Sequence, residues 1–142
     1  MAWRILMATL LLFGSAEAAF RHMKEVRLKK DVPEKILVKG EDAEHLLAFR
    51  WTLYENGDLV MHRSYDGFRT QHVLRLNHQN QSLRVAIDSR GVDPRAFTYI
   101  VIKFKAFDPA RREAVFDLLL KDDAEKVELK YLKRVQEAPK RP

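Results

Sequence analysis

The chain contains no cysteine in 142 residues. That absence excludes disulfides, thiolate metal sites, a cysteine nucleophile and lipid attachment through an N-terminal cysteine. The fold must then be held by its core alone, and a chain of this length is long enough to bury one even without its first 18 residues. Catalytic signatures are missing too. No G-x-S-x-G, H-E-x-x-H, phosphate-binding glycine loop, dinucleotide fingerprint or EF-hand spacing occurs. No catalytic residue, cofactor or metal ligand is therefore assigned. Beyond the N-terminus no apolar run approaches the roughly 20 residues that a membrane-spanning helix needs.

The N-terminus itself has the three parts of a secretory signal peptide. Arg4 is the positive region, residues 5–13 (ILMATLLLF) form a short apolar region, and Ala16-Glu17-Ala18 is a small-x-small cleavage site. Cleavage is expected after Ala18. Together with the missing cysteines this points to the periplasm of a bacterium or to the extracellular space. The formal charge of +6 survives removal of residues 1–18, which takes away one Arg and one Glu. A basic excess favours anionic partners, here an acidic protein or an anionic envelope polymer rather than nucleic acid. The oligomeric state stays open.

Glycine is scarce, five in all, and two of the five stand in Asn56-Gly57 and Asp66-Gly67. Both dipeptides supply the positive φ angles of tight hairpin turns. They divide residues 46–76 into three runs, 46–54, 59–65 and 68–76, rich in aromatic and β-branched residues. The pattern predicts a three-strand antiparallel meander. A two-residue first turn pairs Leu53 with Val60, Trp51 with His62 and Phe49 with Ser64. For the second turn, a three-residue loop with a bulge at Gly67 segregates the faces better than a two-residue loop. In that register Phe49, Trp51, Leu53, Val60, Phe68, Leu74 and Leu76 face the core. Arg50, Arg63, Arg69 and Arg75 face outward with Tyr54 and Tyr65 beside them. Trp51 is then buried and Arg63 exposed. His62 and His72 fall close together on the apolar face. Two imidazoles so placed could bind a metal, but no third ligand has recognisable spacing, and hydrogen-bonded histidines at the core edge are the simpler reading.

The remaining runs also alternate. Residues 21–30 suit a charged edge strand, 34–39 and 83–88 short strands, and 97–107 a central strand apolar on both sides. Residues 41–44 form an acidic connector with room for one helical turn. Residues 109–120 read either as a short helix or as a strand, and a hairpin across 122–125 with residues 126–134 is preferred. His62, Ser64 and Asp66 lie in a line with about 7 Å between neighbours, unsuited to a triad. Asp88, Asp93 and Asp108 suit turns and caps better than calcium. Residues 136–142 are expected to be a disordered tail.

The expected fold is all-β: a sandwich or flattened barrel of eight or nine antiparallel strands over residues 19–135. The expected function is an exported, non-catalytic binding or assembly module of the bacterial cell envelope. Its basic sheet face (Arg50, Arg63, Arg69, Arg75, with Tyr54 and Tyr65) would contact an acidic protein or polymer. The alternative is a small-ligand carrier or metal-dependent enzyme with its site near His62 and His72.

Overall fold

The computed structural model describes residues 20–41, 43–88, 97–123 and 125–134. Residues 1–18, Asp93 and residues 136–142, the subjects of three of the readings above, lie outside them. Among the described residues nine strands run in chain order: β1 (Arg21–Lys29), β2 (Glu34–Lys39), β3 (Glu44–Glu55), β4 (Asp58–Tyr65), β5 (Phe68–Arg75), β6 (Ser82–Asp88), β7 (Thr98–Asp108), β8 (Glu113–Lys121) and β9 (Glu128–Tyr131). They form two antiparallel sheets, β1-β8-β7-β6 and β5-β4-β3-β2-β9. Neither closes into a barrel, so the architecture is a β-sandwich.

Alternation places one side chain in two between the sheets. Val26 and Leu28 of β1, Ile36 and Val38 of β2, and Ile100, Ile102 and Phe104 of β7 are fully buried there. Phe49 meets Phe116 edge-on across the sandwich at 5.4 Å. Trp51 is buried, donates its indole N–H to the Leu28 carbonyl at 2.7 Å and lies edge-on to Phe107.

The region left open between helix and strand is β8. Asp108 accepts from the N–H groups of Ala110 and Arg111, so a capped turn is there. Arg112 then takes a positive φ of 53° and the chain doubles back, pairing Asp108 with Glu113. The preferred hairpin across 122–125 is corrected. β8 pairs with β7 and β1, whereas β9 pairs with β2 in the opposite sheet. Between β8 and β9 the chain passes from one sheet to the other. The buried Asp122 holds it, accepting from the Val127 N–H at 2.8 Å.

The meander's strands are where the sequence puts them, but its bulge is elsewhere. Both turns have two residues, with φ of 53° and 84° at Asn56 and Gly57 and 50° and 84° at Asp66 and Gly67. Such mirror-image turns match the twist of the flanking strands, so no third loop residue is needed. The extra residue sits in β3, between Trp51 and Leu53. Leu53 still pairs with Val60, but Trp51 pairs with Met61 and Phe49 with Arg63. In β5, Arg69 pairs with Ser64 and Gln71 with His62.

Candidate functional site

This register redistributes the expected site residues. Trp51, Met61 and His72 share the inner face, and Arg50, His62 and Gln71 the outer one. His62 and His72 therefore point to opposite sides of the sheet. His62 Nε2 lies 3.2 Å from the Thr52 hydroxyl, and His72 Nε2 2.9 Å from the Thr70 hydroxyl. The metal or ligand site imagined between them has no geometric basis. Among the described residues no group of three His, Asp or Glu side chains gathers as a metal site.

Tyr54 and Tyr65 are also corrected to the inner face. Tyr54 stacks on Phe107 with centroids 4.0 Å apart and planes 7° from parallel. Tyr65 stacks on His45, and its hydroxyl is buried without a hydrogen bond among the described residues. Burial, reinforced by the Asp66 carboxylate, pushes the Tyr65 hydroxyl up to about 12. Arg63 is half-buried on the inner face, between Phe49 and Thr70 in the neighbouring strands. Its position near the sheet margin makes this tolerable, because the side chain is only partly desolvated. That partial burial still lowers the guanidinium pKa, and Nε has no acceptor among the described residues.

The structure keeps Arg50, Arg69 and Arg75 on the outer face. Two of the three are already engaged. Arg50 donates to Asp31 at 3.1 Å. Arg75 donates to Asp58 at 2.8 Å and to the Asn56 carbonyl at 3.1 Å. The Arg75 hydrogen bond holds the Asp58 carboxyl below the ordinary carboxylate range. Arg69 is exposed and has no ion pair among the described residues.

Arg50 and Arg69, but not Arg75, line a depression of about 620 Å³. Ala48 and Ser64, neighbours across β3 and β4, form its floor because both are short. Arg50, His62, Arg69 and Gln71 stand around them, with Asp31 and Pro33 as a further wall. Beside it runs an apolar row, Leu53–Val60–Val73, of which Leu53 and Val73 are exposed. The sequence reading missed Ala48, Ser64, His62 and Gln71 as a set. Two small residues opposite each other amid long polar ones would have been the signal, but only in the correct register.

The site offers hydrogen-bond donors, one uncommitted guanidinium and an apolar shoulder. Within it no hydroxyl or imidazole is arranged with a base and an orienting carboxylate for nucleophilic chemistry. No family model, curated protein or solved structure matches the chain.

Proposed function

We propose that this protein is an exported, non-catalytic binding or assembly module of the cell envelope, holding an acidic protein segment or anionic polymer on the outer face of its five-stranded sheet. The observation that carries the reading is the Ala48–Ser64 depression with Arg69 at its rim. A planar guanidinium facing solvent, without a carboxylate of its own, is suited to two parallel hydrogen bonds with a carboxylate or phosphate. Arg50 and Arg75 contribute less, because an incoming anion must compete with Asp31 and Asp58. The exposed Leu53 and Val73 supply contact area for apolar side chains.

Poly-L-glutamate is a suitable probe. Binding should be weak, multivalent and reduced by salt. Arg69→Gln combined with Ser64→Tyr, which removes the free cation and fills the depression, is expected to lower affinity at least tenfold with the melting temperature little changed. Undiminished binding by this folded double variant at moderate salt means that the face is only a solvated surface.

A further inference from the structure

The β5 strand ends the five-stranded sheet, so one side of it has no neighbouring strand among the described residues. The two-residue turn makes Tyr65 and Phe68 the first pair of the β4–β5 ladder. In an antiparallel ladder, hydrogen-bonded and non-bonded pairs then alternate. The backbone groups of Phe68, Thr70, His72 and Leu74 turn toward β4, and those of Arg69, Gln71, Val73 and Arg75 turn away. The far end of this edge is already occupied by Asn80. Its side-chain amide donates to the Val73 carbonyl at 2.9 Å, and its backbone carbonyl accepts from the Arg75 N–H at 3.3 Å. What remains is a row of five backbone groups: N–H and C=O of Arg69, N–H and C=O of Gln71, and N–H of Val73. None has a protein partner among the described residues.

The edges β1 and β9 carry features that discourage further pairing, and β6 has a register shift between Ala86 and Asp88. β1 has an irregular register between His22 and Lys24, and exposed Lys24, Glu25, Arg27 and Lys29. Arg134 also donates to its Arg27 carbonyl. β9 is only four residues long. β5 has eight residues, no proline, no lysine and an unbroken register with β4. At its start Phe68 is 75% exposed.

We propose that β5 accepts an extended acidic peptide segment of a partner as an added strand along Phe68–Val73. This rests on the reading of the outer face as an anion-binding surface and specifies how the partner's backbone is held. Main-chain hydrogen bonds would provide affinity, and the side chains flanking the edge would provide selectivity. Arg69 and Gln71 flank it on the outer side. Phe68, Thr70 and His72 flank it on the inner side, with Arg63 one strand behind Thr70. Each side thus offers an arginine without a carboxylate partner among the described residues, and the inner side adds an exposed aromatic ring. Alternating carboxylate and apolar side chains complement that edge. A second copy of β5 does not, because it brings further arginines and joins two chains of formal charge +6.

The test uses fluorescence anisotropy with the hexapeptide Ac-Val-Glu-Val-Glu-Val-Glu-amide. Two further versions carry backbone N-methyl groups, one on the Val residues and one on the Glu residues. The parent should bind, and at least one methylated version should bind more than tenfold more weakly. Gln71→Pro removes an outward N–H without touching the β4 ladder. It should weaken the peptide more than tenfold relative to Gln71→Ala, which loses the same side chain but keeps the N–H, while the two variants bind poly-L-glutamate alike and share a melting temperature. If the variant does not fold, the methylated peptides decide alone. Equal binding of all three peptides, or no peptide binding where poly-L-glutamate binds, overturns strand addition and leaves the face reading intact. A concentration-dependent dimer in sedimentation that Gln71→Pro dissolves assigns the edge to a second copy and overturns the acidic-peptide proposal. Loss of poly-L-glutamate binding in Gln71→Pro with no loss of peptide binding also overturns it.

Discussion

Glu34 is the most demanding residue in the sandwich. It is 1% exposed, and Arg134 donates to its carboxylate at 2.7 Å while also reaching the Arg27 carbonyl at 3.0 Å. Removing the cation leaves a buried charge without a partner, which costs more than the pair contributes when intact. Arg134→Ala is expected to destabilise the protein by about 3 kcal/mol, measured by urea unfolding, and adding Glu34→Gln should recover much of the loss. His72 gives a second residue-scale expectation. Partial burial, and then the neighbouring Arg63 charge, lowers its pKa from 6.5. The unfolded chain therefore takes up this proton more readily than the fold. The contribution to stability is complete above the unfolded pKa and is lost as pH falls from about 6.5 toward the lower folded value. Asp66 behaves differently. The Leu46 N–H, and then His45, hold its pKa below the usual 3.8. Its contribution persists until the pH falls below the ordinary aspartate range. Thermal melts from pH 8 to pH 5 should show a decline that His72→Gln reduces.

At the scale of elements, the strands were legible because their two signals are local. Alternation in 21–30, 34–39 and 83–88, and the Asn-Gly and Asp-Gly turns, each act over a few residues. The register was not legible, because one extra residue can be absorbed anywhere along a hairpin. The sequence reading put it at Gly67, because a two-residue second turn would have set Arg69 and Gln71 beside Phe49 and Trp51 on the apolar face. The strand absorbs it at Thr52, and Arg63 is accommodated at the sheet margin. That single displacement moved His62 outward and Tyr54 and Tyr65 inward, and left only three of the four expected arginines on one face. The β8–β9 pairing failed for a related reason. Chain neighbours often pair, but Asp122 anchors a crossover that no periodicity announces.

For the whole molecule, the ends of the described fold are laced into different sheets. Arg21 pairs with Leu120 and Leu28 with Ala114, while Ile36 of the next strand pairs with Tyr131. β1 and β2 adjoin in sequence yet lie in opposite layers, as do β8 and β9.

This lacing sets an order in time. The meander from Glu44 to Arg75 closes over short loops, but β1 must wait for β8, most of the chain away. Sandwiches dominated by such distant pairings fold in milliseconds to seconds. Stopped-flow refolding followed by Trp51 fluorescence should fall in that range. Leu59→Ala should slow folding, whereas Val26→Ala should chiefly accelerate unfolding. As the chain emerges from the ribosome, Val26 and Leu28 therefore stay uncovered until Phe116 and Ala114 arrive.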